Sequence, residues 1–244
     1  MKILAIDTAA TALSVAVVDD SRLLAETTVA NGLTHSINLM GVIDQVLKWS
    51  DLGVADLDGL AVTNGPGSFT GLRIGISCIK GLAEAHNLPV VAVSSLTALA
   101  HQAALMALVV CPVLDARKKE IYYAIFRTEA GHLKQTSKAQ VCPVSQLIEA
   151  IDEKCLFVGD GSILYRNQLE NGLGALAHFA MSETDMRRGA TVATLGLEGF
   201  KNGASMDAAD LKPLYIRRAD AKLKSGAIGP GREKEALRHK LRVI

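Results

Sequence analysis

The chain lacks the features that mark several broad protein classes. No apolar run in its 244 residues is long enough to span a bilayer, and Asp7 comes too early for a signal peptide. A cytoplasmic protein without membrane attachment is therefore expected. Its four cysteines, Cys78, Cys111, Cys142 and Cys155, are far apart and show no Cys-x-x-Cys spacing, so neither disulfides nor zinc are expected. The six histidines form no ligand spacing either, and no metal site is expected. Net charge is also lacking, at +1, but it is unevenly placed. From Lys212 to Ile244 there are ten Lys/Arg and three Asp/Glu, against sixteen and twenty-two before it. The basic end reads as a solvated extension, and the acidic body does not read as an RNA-binding surface.

What is present is a large apolar fraction, 49%, enough for a substantial core. Strands are predicted at 2–6, 12–18 and 23–29 as an antiparallel meander, then a helix over 34–50, a strand at 57–63, a helix over 72–86 and a strand at 90–93. The order is βββαβαβ. A similar series recurs: Val113-Leu114-Asp115 ends a strand in aspartate as Ala5-Ile6-Asp7 does, a second strand is predicted at 121–126, and Cys155 to Val158 runs into Gly159-Asp160-Gly161-Ser162 and a helix. Two related α/β lobes are expected, at 1–104 and 105–218, with the helix from Thr191 to Lys201 able to cross back to the first. Residues 219–244 are expected to form a flexible basic tail.

The most informative stretch is Asn64-Gly65-Pro66-Gly67-Ser68-Phe69-Thr70-Gly71-Leu72-Arg73-Ile74-Gly75, which joins a buried strand to a helix. It is no Walker A loop, since Leu72-Arg73 follows Gly71 where Lys-Ser/Thr is needed. It is a poor dinucleotide fingerprint, because Thr70 occupies the sixth slot after Gly65. A turn that caps a core helix through Ser68 or Thr70 is the plain alternative. On the helix, Arg73, Ser77, Lys80 and Glu84 form one polar stripe and the rest is apolar or small. Either a central core helix or a helix against another chain fits.

Together with Ile3-Leu4-Ala5-Ile6-Asp7-Thr8, Ser94-Ser95-Leu96, Asp115-Ala116-Arg117, Tyr122-Tyr123 and Pro213-Leu214-Tyr215-Ile216-Arg217, this stretch resembles the TsaB (YeaZ) family over about residues 1–218. The resemblance implies a duplicated actin-like, sugar-kinase-like and Hsp70-like (ribonuclease H-like) two-lobed fold. It implies a partner subunit in making N6-threonylcarbamoyladenosine on tRNA, one that binds the catalytic paralogue TsaD and, with it, the ATPase TsaE. A homodimer when the partner is absent, and tRNA reached only indirectly, also follow.

The residues agree with a non-catalytic role. The metal-binding histidine pair of the catalytic paralogue is replaced by Ser95 and Leu99, neither a ligand for such an ion. Asp7 and Asp115 would orient magnesium in an ATP-using member, with Gly159 and Gly161 near adenosine. Yet each aspartate also fits as the cap of a hairpin turn. No intrinsic cofactor is expected, with ATP or ADP admitted at a partner interface. The expected partner face joins Met40, Ile43 and Leu47 of the first helix to Gly71, Leu72, Gly75, Ile76 and Ile79 of the second, its glycines allowing close helix approach. The rival readings are an autonomous ATP-dependent phosphotransferase and a metallopeptidase.

Overall fold

The structure, a computed structural model, describes residues 1–20, 22–104, 109–180 and 188–217. Its first half runs β1 (Lys2–Asp7), β2 (Leu13–Asp19), β3 (Arg22–Val29), α1 (His35–Trp49), β4 (Gly59–Gly65), α2 (Phe69–His86), β5 (Val90–Ser94) and α3 (Ser95–Ala103). The second runs β6 (Val109–Asp115), β7 (Glu120–Tyr123), β8 (Phe126–Glu129), β9 (His132–Gln135), β10 (Gln140–Pro143), α4 (Val144–Ala150), β11 (Cys155–Val158), α5 (Asp160–Leu164), α6 (Arg166–Leu173) and β12 (Ala177–Phe179). A last helix, α7 (Gly189–Lys201), follows.

β1, β2, β4, β6 and β11 are nearly continuous apolar runs, buried almost throughout, as strands covered by helices on both faces must be. The two sheets have matching orders, β3-β2-β1-β4-β5 and β10-β7-β6-β11-β12. In each, the first two pairings are antiparallel and the last two parallel. The expected duplication is thus present in five strands of each sheet, with the β8–β9 hairpin added to the second beside β6. α1 and α2 cover one face of the first sheet over Leu4, Ile6, Val15 and Val62, and α7 covers the other over Ile3, Ala5 and Ala61. α3 packs Leu96 and Leu99 against Val110, Leu114 and Val158 of the second sheet, joining the halves through a shared core.

One expectation is corrected by the strand pairing. The single strand predicted at 121–126 breaks after Tyr123, because β6 pairs with β7 near its end and with β8 near its start. At the break the Ile125 N–H donates to Ser137 Oγ (2.7 Å), which satisfies a backbone amide leaving the ladder. α7 packs across β1, β2, β4 and β5, and Met206 bridges Val90. Small residues permit this return, since a Cβ at Gly196 would stand 2.5 Å from Ala61 Cβ. The lobe boundary at 104/105 abuts residues outside those described, and the basic tail at 219–244 lies wholly outside them. Among the described residues no helix is long and apolar enough to cross a membrane.

Candidate functional site

The glycine loop is laid onto the turn between β1 and β2. α2 begins at Phe69, three residues before the predicted start, with Ser68 as its cap: Ser68 Oγ accepts from Gly71 N at 3.2 Å. Ser68 N–H donates to Ala9 O (2.9 Å), and Thr8 Oγ1 donates to Gly71 O (2.8 Å). A Cβ built at Gly67, Gly71 or Gly75 would fall under 3.0 Å from Ala9 O, Thr8 O or Thr8 Oγ1. The close approach these glycines allow is therefore made by the chain's own hairpin and not by a partner helix, which corrects the expectation for Gly71 and Gly75. Ile76 and Ile79 are likewise core residues under the first sheet, as are Ile43 and Leu47 of α1, and Leu72 is buried at 2% exposed. Of the eight residues expected at a partner face, Met40 alone is exposed, at 56%.

The two aspartates are equivalent in geometry. Asp7 Oδ1 accepts from Ala9 N and Asp115 Oδ1 from Arg117 N, both at 2.8 Å, so each caps its hairpin turn through its own side chain. Asp7 also accepts from Thr63 Oγ1 (3.0 Å) and is 1% exposed. Asp115 faces a cleft of about 800 Å³ between the lobes, lined by Thr11, His35, Thr70, Tyr122, Asp160 and Arg217 among others. His35 Nε2 donates to Ala10 O (2.7 Å), holding the first wall, and burial pushes the Tyr122 phenol above its usual range. Gly159 and Gly161 do not open toward the cleft: a Cβ on either would stand under 3.0 Å from Val113 O. With Asp7 enclosed and the first turn covered by the glycine loop, these residues do not fit a magnesium nucleotide gripped between the two hairpins. Ser95 and Leu99 are both fully buried, and among the described residues no three His, Cys, Asp or Glu side chains gather as a metal set.

An exposed apolar surface lies on the neighbouring flank of α1. Leu33, just before the helix, is 53% exposed and Ile37 is 68% exposed. At about 100° per residue, Ile37 and Met40 cluster roughly 120° around the helix from the core residues Leu39, Ile43 and Val46. Across the α1–α2 seam the Cys78 thiol donates to Met40 Sδ (3.5 Å), with half-buried Ile74 and Leu82 beside it. Burial raises the Cys78 thiol, keeping it protonated and apolar in behaviour. A Cβ at Gly41 or Gly81 would meet nothing within 4 Å, so these two glycines leave the face low. Trp49 is also exposed but sits on the opposite flank of α1, outside this cluster. Leu33 and Cys78 were missing from the expected face. Sequence carried a signal for the face in Ile37, which extends the apolar stripe beyond one sheet contact.

Comparisons with known proteins bear on this arrangement. A family model described as TsaD, tRNA N6-adenosine threonylcarbamoyltransferase, matches residues 30–225. The chain is 31% identical over 227 residues to the tRNA threonylcarbamoyladenosine biosynthesis protein TsaB of Bacillus subtilis (strain 168), covering 92% of this chain and 97% of that one. A crystal structure described as an uncharacterized protein with similarity to peptidase YEAZ from Pseudomonas aeruginosa superposes with a TM-score of 0.78 at 26% identity, covering 88% of this chain and 99% of that one. The ROK hexokinase of Thermus thermophilus shares the fold alone, with a TM-score of 0.50 at 11% identity over 83% of this chain and all of that one.

Proposed function

This chain belongs to the TsaB (YeaZ) family of tRNA threonylcarbamoyladenosine biosynthesis proteins, and on that footing we propose that it serves as a non-catalytic partner subunit docking on a TsaD-type transferase. The observation that carries the reading is the exposed cluster Leu33, Ile37 and Met40 on α1, continued by Cys78 on α2. Side chains this apolar gain dispersion and lose water only when another surface covers them. A TsaD-type chain is a suitable cover because the matching family model spans both halves of this fold, so the two proteins present comparable helix pairs. A second copy of this chain would use the same face when the transferase is absent.

The way polar groups are used supports the non-catalytic part of this reading. The Asp7 carboxylate is occupied by Ala9 and Thr63, and Ser68 is engaged with Gly71. These structural roles support a reading in which neither residue serves as a base or nucleophile. The assembled pair then takes up TsaE in the cytoplasm, and any ATP or ADP sits where subunits meet. The test is to reconstitute threonylcarbamoyl transfer from purified components with and without this chain. Product should require it, and equal product in its absence would end the proposal.

A further inference from the structure

The mouth of the cleft carries a second exposed surface, which adjoins the α1 face at Leu33. Phe69, in the first turn of α2, and Tyr215, in the segment after α7, are 46% and 44% exposed. Their ring centroids stand 5.5 Å apart with the planes tilted by 30°. The Arg73 guanidinium lies 3.8 Å from the Phe69 ring centroid, and its Nε–H donates to the Tyr215 hydroxyl (3.4 Å). Two rings and a guanidinium thus stand assembled in solvent.

Two residues beyond Tyr215, Arg217 donates to Ala116 O (2.7 Å) and pairs with Glu120, so the stack is tied to the turn between β6 and β7. That turn presents Arg117, Lys118 and Lys119 in succession, with φ of +62°, +55° and +64°. Three consecutive left-handed residues without a glycine are strained, and such backbone is retained where it fixes side-chain direction. Arg117 also meets Asp115 at 3.3 Å, which leaves Lys119, exposed at the tip, as the stronger site for an incoming anion.

We propose that this surface binds single-stranded nucleic acid, with a base stacking on the Phe69–Arg73–Tyr215 platform and adjoining phosphates meeting the Arg117–Lys119 turn. Flat π surfaces beside a basic rim are what an unpaired base and its backbone require. An acidic peptide would satisfy the charge but leave the stack idle. The contact is direct, contrary to the expectation that RNA is reached only through a partner, and it does not depend on docking through α1.

The test uses the full chain alone, titrated by fluorescence anisotropy into a labelled RNA hairpin with a single-stranded loop, a fully paired RNA of the same length, and poly-glutamate, each at several salt concentrations. The looped RNA should bind best. Tyr215→Ala should weaken it on the order of tenfold without changing the salt slope. Lys119→Glu should lower the log–log salt slope by about 0.7, the loss of one single-strand phosphate contact. Circular dichroism of both variants should match the parent. No binding by the full chain, equal or tighter binding of the duplex or of poly-glutamate, or binding that ignores both substitutions and vanishes only when 218–244 are deleted would each overturn the proposal. Loss of transfer activity in reconstitution bears on docking instead, so the two readings fail separately.

Discussion

Replacing Gly75 by alanine should destabilise the folded monomer, and the reason lies in Thr8. A Cβ at position 75 falls inside contact distance of Thr8 Oγ1, with the Thr8 Cβ only 3.4 Å away. The hydroxyl cannot simply turn aside, because it donates to Gly71 O at 2.8 Å in a buried setting. Displacing it costs about 1 kcal/mol for the hydrogen bond and about 1–3 kcal/mol for overpacking. Helix propensity returns about 1 kcal/mol on going from Gly to Ala. A net loss of about 1–3 kcal/mol remains, read as a lower urea midpoint at unchanged slope. Thr8→Ala removes both the hydroxyl and the methyl, so in that background Gly75→Ala should be neutral or stabilising by about 1 kcal/mol. The pair should then couple by about 1–4 kcal/mol, outside the additivity of independent sites. If Gly75→Ala instead left the midpoint unchanged and the pair proved additive, the packing of the glycine loop on the first hairpin would be refuted.

Arg217→Ala removes the donor to Ala116 O and the partner of Glu120. It should cost about 1–2 kcal/mol, since both groups are partly exposed, and should speed amide exchange at Ala116 and Glu120 while sparing the β1–β2 turn. Stability should also fall in alkali. Cys111, enclosed beside Cys155, has its thiol pushed well above 9.0, first by desolvation and then by its bond to Cys155. A folded-state pKa above the unfolded value means that this stabilisation is complete below about 9 and is lost as pH rises toward the folded value. Cys111→Ala should therefore flatten the decline in urea midpoint above pH 9, and an unchanged decline would contradict the assignment.

Local patterns carried the architecture well. Apolar runs ending in Asp7 and Asp115 marked the two first strands, and the structure shows them as equivalents to the hydrogen bond. The repeat was legible because each half sets its own strand order through short-range connections. The roles of the glycines were not legible. Thr8 and Gly71 are sixty-three residues apart, so no window of sequence reveals that the loop's small residues accommodate the chain's own hairpin. The same holds for Gly196, whose neighbour Ala61 lies in another element altogether. For α1 the apolar stripe was visible and its division was not. Ile43 and Leu47 meet the core while Ile37 and Met40 face solvent, a distinction that depends on where the sheet ends beneath the helix.

Docking through α1 is tested most directly by Ile37→Asp. Ile37 is 68% exposed, so its replacement should leave monomer stability within about 0.5 kcal/mol of the parent. At the centre of a covered apolar face, however, a buried unpaired carboxylate is strongly unfavourable, and loss of affinity by more than tenfold is expected. Titration calorimetry of the full chain against a purified TsaD-type transferase reads this without relying on turnover. The parent chain should bind and Ile37→Asp should nearly abolish binding with an unchanged thermal midpoint; undiminished binding by the folded variant would contradict docking through α1.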